Sequence, residues 1–201
     1  VIDEEALPFK DASFDLVISN LVMHWVNDLP GALIQVNRAL KPDGLFLGSI
    51  FGGETLKELR QSLVIAESEI SSGVSPRISP FADVRDIGGL LQRAGFNLPV
   101  ADSDVLTVSY EHPLKLMQDL RGMAEGNAVF ARRKAFTSKA VMQRAAEIYG
   151  ETYGDSDGRV PATFQIIYMT GWHPHESQQK PMKRGSAKMH LSDALEAARK
   201  D

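Results

Sequence analysis

FDLVISNLVMHW, Phe14 to Trp25, is the stretch that decides how this chain is read. Leu16, Val17 and Ile18 form an apolar run between polar turns, which predicts a fully buried strand over 14–19. The stretch then ends in Ser19, Asn20, His24 and Trp25, groups that seek hydrogen bonds. Downstream, LPGALIQVNRALKPDG spaces Leu29, Ala32, Leu33, Val36, Ala39 and Leu40 as one apolar helix face. Asn27 or Asp28 can cap that helix, Pro30 suits its first turn, and Lys41-Pro42-Asp43-Gly44 stops it. LFLGSIF, 45–51, reads as a second buried strand. Strand, helix, strand is a βαβ unit with parallel strands and helices on the faces.

The same reading continues along the chain. A helix is expected over 54–69, a Ser/Pro/Gly-rich loop over 71–81 and an amphipathic helix over 82–96 ending at Gly95. An alternating strand is expected over 104–112, with helical stretches at about 113–123 and 134–150. A last strand, 162–172, alternates like one that pairs at an edge. The tail is polar and Lys-rich, with room for a short helix at 191–199. The organisation is α/β: one domain over 1–180, a helical insertion at about 113–150, and a polar tail over 181–201.

Composition narrows the classes. The chain has 201 residues, 43% of them hydrophobic, which suits a single domain with a substantial core. Its net charge of -4 gives no overall field for nucleic acid. It has no cysteine, which excludes disulfides, thiolate nucleophiles and Cys-built zinc sites. No apolar run reaches the ~18–20 residues of a membrane-spanning helix. The opening VIDEE is acidic, unlike a signal or transit peptide. Val1 is not an initiator Met and a strand follows almost at once, so the native N-terminus is expected upstream.

In open parallel sheets, ligands sit beyond the carboxyl ends of the strands. Ser19, Asn20 and the residues through Trp25 lie there. Two readings stand: the rim of a ligand pocket, or a routine strand-to-helix loop with Trp25 packed on the helix and His24 solvated. Asp3, before ALPF, is a carboxylate that could accept from an amino group; the plainer reading is an exposed acidic terminus of Asp3, Glu4 and Glu5. GWHPHES, 171–177, holds His173, His175 and Glu176, yet its spacing is a weak metal signature and a surface loop is the simpler reading. His112 and His190 have no suggestive neighbours. Neither a Gly-x-Ser-x-Gly elbow nor a phosphate-binding P-loop is present.

Taken together, DEEALPF, SFDLVISNLVMHW and the helix ending in LKPDG resemble a class I S-adenosylmethionine-dependent methyltransferase over roughly residues 1–52. FGGETLKELRQSL, SPRISPFADVRDIGGLLQRAGF, LRGMAEGNA, RVPATFQIIYMTGW and HESQQKP extend the resemblance through nearly the whole chain. They are similar to the group of respiratory complex I assembly factor 5 and its bacterial relatives, near the malonyl-carrier-protein methyltransferase of biotin synthesis.

The resemblance implies a Rossmann-like methyltransferase sheet, lacking its first strands, with a helical insertion before the last strand. It implies S-adenosylmethionine as cofactor. Asp3 would hydrogen-bond the adenine amino group and Glu4 would offer its backbone N–H. Ser19 and Asn20 would pass the methionine part, Trp25 would roof the reacting centre with His24, and His24 would act as the catalytic base. Asp15 is expected to start the strand. No metal ligand is carried over.

The family's Gly-rich turn and second strand lie upstream of Asp3, so the 201 residues alone are expected to bind the cofactor poorly. The implied activities are methyl transfer to a protein or acyl-carrier-protein acceptor, or arginine hydroxylation on an iron–sulfur subunit of complex I. A third alternative is a non-catalytic assembly chaperone that holds a partner on the 113–150 helices. No nucleic acid partner and no transmembrane span are implied, and peripheral membrane contact stays open. The tail favours a bacterial cytoplasm; the alternative is the mitochondrial matrix, associated with the inner membrane.

Overall fold

The computed structural model describes Asp3, residues 5–71, 73–78, 82–129 and 132–180, and Gly185. Among these residues a four-stranded sheet runs in the order β1-β2-β4-β3. The strands are β1 (Phe14–Asn20), β2 (Leu40–Phe51), β3 (Asn97–Tyr110) and β4 (Val160–Trp172). The helices are α1 (Leu29–Ala39), α2 (Lys57–Ile70), α3 (Val84–Arg93), α4 (Pro113–Gly122) and α5 (Lys139–Tyr153). Glu4 and the tail helix expected at 191–199 lie outside the described residues.

The βαβ unit forms as its pattern requires. β1 and β2 are parallel, and α1 joins them. Of the two candidate caps, Asp28 is the one used: its carboxylate accepts from Gly31 N–H at 2.9 Å. Lys41-Pro42-Asp43-Gly44 ends the helix but belongs to β2 as an irregular stretch. The register jumps there, from Phe14 opposite Leu40 to Leu16 opposite Leu45, and Asp43 takes a left-handed φ of 65°. The end of β4 fixes it, since His173 N–H donates to Gly44 O at 2.9 Å.

Four expectations need correction. β1 is not fully buried: Leu16 and Ile18 are 46% and 65% exposed. Among the described residues it stands at one end of the strand order, paired with β2, so an apolar run did not imply two covered faces. The last strand is not an edge. β4 lies between β2 and β3 and is antiparallel to both. Its alternation reports two different faces, not a free side. Finally, β3 starts at Asn97 and ends at Tyr110 instead of spanning 104–112. Pro99 argues against a central strand, and β3 is the far edge, where proline is tolerated. α2 also begins late, because Thr55 Oγ1 and Leu56 N–H are engaged by Gln165 O and Thr163 O of β4.

The two faces of β4 bury two cores. Ile167 and Met169 join Leu33, Val36, Phe46, Ile50, Ile87 and Leu91 under α1 and α3. Val160 and Ala162, of opposite parity, join Leu59, Leu63, Leu116, Leu120, Ala145 and Tyr149 under α2, α4 and α5. Leu116 and Leu120 thus do ordinary core packing, while Leu114 is exposed. Tyr149 O–H donates to Pro161 O at 2.7 Å. Burial first, then the charge of Glu58, pushes that phenol above its ordinary range. α4 and α5 lie between β3 and β4, as a helical insertion before the last strand. No helix among the described residues is long and apolar enough to cross a membrane.

Candidate functional site at the ends of the parallel strands

β1 ends at Asn20, directly opposite Ser49 of β2. Ser49 Oγ donates to Asn20 Oδ1 at 2.7 Å. Leu21 N–H then donates to Ser49 O at 2.9 Å and reaches Ser49 Oγ at 3.1 Å. Leu21 has a φ of 50°, a left-handed conformation a branched side chain adopts only when held. That bend turns the chain into a 3-10 turn, Met23–Trp25. Ser19 lines a mostly apolar groove of about 320 Å³ with Leu7, Phe9, Leu16, Ile18 and Val22.

The turn sends His24 inward. Its side chain is 3% exposed, which excludes the solvated reading. The imidazole lies between Trp25 and Phe51, with ring centroids 5.2 and 4.9 Å away. Its Nε2 stands 3.3 Å from both carboxylate oxygens of Glu125. Glu125 belongs to the loop after α4, so the insertion reaches the rim of the strand ends. Trp25, Phe51, Glu125 and Arg77 line a small cavity of about 90 Å³. Glu125 and Arg77 also line a larger one of about 400 Å³ toward Met117, Arg121 and Thr137.

Asp3 is exposed and accepts from Glu5 N–H at 2.9 Å. The residue that attaches this loop is Glu5, which the sequence reading had grouped with a solvated acidic terminus. Glu5 Oε1 accepts from Asn27 N–H and Nδ2 at 2.7 and 2.8 Å. Gln35 of α1 completes the clasp, donating to Glu5 O at 2.8 Å and accepting from Leu7 N–H at 2.9 Å. The Asp3 loop is therefore tied to Asn27, two residues beyond Trp25, and to Gln35 in α1. Asp15, expected as structural, pairs with Lys41 at 2.8 Å across β1 and β2.

GWHPHES is not one cluster. His173 Nδ1 lies 2.8 Å from Asn37 O and Oδ1 at the end of α1, and His175 Nδ1 lies 2.7 Å from Ser177 Oγ. His112 caps α4, accepting from Leu114 N–H at 3.2 Å. Glu5, Gln35, Ser49 and Glu125 were missed because each acts through a partner far away in the chain.

The methyltransferase domain family matches residues 1–48, the part that contains β1, its rim and α1. The chain is 55% identical to the mitochondrial arginine-hydroxylase NDUFAF5 of Danio rerio over 95% of its own length and 59% of that protein. It is 39% identical to a malonyl-[acyl-carrier protein] O-methyltransferase of Gallionella capsiferriformans over 86% of its length and 57% of that protein. The chain thus spans a little more than half the length of these relatives. A solved structure from Bacillus halodurans, described as a candidate methyltransferase, shares the fold with a TM-score of 0.52 at 17% identity. It covers 86% of this chain and 76% of that one. The fold is therefore the Rossmann-like class I methyltransferase fold. Within that class, the chain is similar over nearly its whole length to mitochondrial arginine-hydroxylase NDUFAF5 proteins and, at lower identity, to malonyl-[acyl-carrier protein] O-methyltransferases.

Proposed function

We propose that this chain forms one wall of an S-adenosylmethionine pocket and the acceptor side of a methyltransferase-type active site. The observation that carries the reading is the rim itself: Asn20 and the 22–25 turn lie at the carboxyl end of a parallel strand, where α/β sheets bind ligands, and Glu5 ties the Asp3 loop to Asn27 just beyond that turn. The donor set fits the cofactor. Asp3 is an exposed acceptor suited to an exocyclic amino group, and the rim beside it carries the carboxylate of Glu5 and the amide of Asn20, which suit a cationic ligand.

When bound, the cofactor would supply an activated methyl group on a sulfonium. Asp3, with the backbone N–H of Glu4, would read the adenine edge. Ser19 and Asn20 would orient the methionine part. Trp25 would exclude water from the reacting centre, and His24 would take the proton that the acceptor loses as it is methylated. The acceptor is assigned to a protein or an acyl carrier protein, in line with the named relatives.

A second reading, arginine hydroxylation on an iron–sulfur subunit of complex I, rests on the 55% identity to the zebrafish arginine hydroxylase. It also carries the mitochondrial matrix as location, whereas the resemblance of the tail to bacterial relatives favours a bacterial cytoplasm. One experiment separates the readings. The protein is incubated with isotopically labelled S-adenosylmethionine and, in turn, an acyl carrier protein and the iron–sulfur subunit, and the acceptors are weighed. A labelled methyl on either acceptor supports transfer. An arginine heavier by one oxygen, lost on deletion of the gene, supports the second reading. Neither change, with complex assembly intact in a His24→Asn strain, defeats both.

A further inference from the structure

Glu125 is 101 residues from His24 in sequence, yet both its carboxylate oxygens lie 3.3 Å from His24 Nε2. A carboxylate only accepts hydrogen bonds. The nitrogen facing it must therefore carry a hydrogen: the neutral ring is the Nε2–H tautomer, and an imidazolium satisfies the contact equally. Glu125 is itself held. Its N–H donates to Leu120 O at 2.9 Å, closing the end of α4, and Ala124 takes a left-handed φ of 63° to allow it. Two residues on, Asn127 Nδ2 donates to Pro76 O at 2.9 Å, which pins the other side of the loop. The loop is thus shaped before it meets His24, and the Glu125 side chain is only 18% exposed.

Glu125 also stands between two cavities. One is shared with Trp25, Phe51 and Arg77, the other with Arg77, Arg121 and Thr137. Arg77 is engaged with Glu67 and with Thr137 Oγ1, so its charge already has a carboxylate partner.

We propose that Glu125 is a positioning residue for the reaction: it fixes the His24 imidazole in its Nε2–H form and ties the rim after β1 to the helical insertion. This inference rests on the reading of His24 as proton acceptor, in which Nδ1 is the nitrogen that takes the proton and the Nε2–H stays hydrogen-bonded to Glu125. A contact of 3.3 Å is long for an N–H···O bond, and such contacts in catalytic sites tighten when the acceptor closes over them. Acceptor docking on the insertion and proton transfer at the rim would then be set through one contact.

The test compares the wild-type protein with Glu125→Met, Glu125→Ala and Glu125→Asp. Nitrogen-15 NMR of labelled histidines reads the ring state, with His24 assigned by its absence in His24→Gln. The neutral wild-type ring should be the Nε2–H tautomer, Glu125→Asp should keep it, and Glu125→Ala should lose the preference. In turnover, Glu125→Ala should lower kcat by about tenfold to a hundredfold, less than the loss of a general base itself. The KM for S-adenosylmethionine should move by less than about threefold, because the contact acts on the chemical step. Glu125→Asp should recover most of kcat. An unchanged His24 spectrum in Glu125→Ala, or a changed spectrum with unchanged kcat, overturns the proposal. If Glu125→Ala does not fold, Glu125→Met, close in size and without an acceptor oxygen, carries both readouts. If the wild type transfers nothing to any acceptor, the reaction assignment fails, while the spectrum still decides whether Glu125 fixes His24.

Discussion

Ser49 Oγ donates to Asn20 Oδ1 at 2.7 Å, so the last residue of β1 is oriented by the strand beside it. Ser49 is 5% exposed and also serves Leu21 N–H, so one hydroxyl holds both the amide and the bend after it. Ser49→Ala should destabilise the protein by about 1–2 kcal/mol, the cost of losing the bond to Asn20 in a partly desolvated place, since Leu21 N–H keeps the Ser49 carbonyl. Urea denaturation measures that loss. Calorimetry should show weaker S-adenosylmethionine binding than in wild type, and equal affinity would remove Asn20 from the cofactor wall.

The buried pair of Glu67 and Arg77 gives a pH-dependent prediction. Burial works against the Glu67 charge, but the Arg77 guanidinium and Ser75 N–H outweigh it and hold the carboxyl below its usual range. A depressed carboxyl stabilises the fold above the ordinary glutamate range and loses that contribution as pH falls through its lower folded value. Arg77→Met leaves the charge uncompensated and should cost about 3–5 kcal/mol near neutrality. The deficit should shrink on acidification, as Glu67 takes up a proton in the variant. Thermal melts across an acidic pH series check both the size and the sign.

Glu5 is expected to matter more to ligand binding than to folding. It joins the exposed Asp3 loop to Asn27, and the loop carries little of the core. Glu5→Ala should cost no more than about 1 kcal/mol of stability, as for an exposed hydrogen-bonded group. It should nevertheless weaken S-adenosylmethionine binding by releasing Asp3. Equal weakening in Glu5→Ala and Asp3→Ala, without addition in the double variant, would show that they act as one unit.

Gly48 lies beside the rim residue Ser49 and has no room for a side chain. A Cβ there would come within 2.7 Å of Phe46 Cζ and 2.8 Å of Met169 Cε. Phe46 and Met169 are buried in the core under α1 and α3, so neither can move freely. Gly48→Ala should therefore destabilise by about 1–3 kcal/mol, as overpacking does. A guanidinium titration with an unchanged slope would show that the native state alone was affected.

The elements that were legible in the sequence are those written by local physics. The strand at Phe14, a cap at Asn27 or Asp28, the apolar face of α1 and the parallel return to β2 follow from periodicity and capping over fewer than forty residues. Position in the sheet was not legible. Leu16 and Ile18 have the composition of a covered strand, yet exposure depends on which elements pack beside them. β4 alternates as an edge strand can, yet it lies inside the sheet because β3 and β2 both pair with it.

FDLVISNLVMHW by itself determined a strand and the place where it must end, because an apolar run and a polar rim differ in their affinity for water. It could not say what His24 would face. That was decided by the tertiary structure, which brings the loop after α4 across to the end of β1 and sets Glu125 against the imidazole. A contact spanning 101 residues leaves no periodic trace, since its partners are chosen by the packing of whole elements and not by neighbours along the chain.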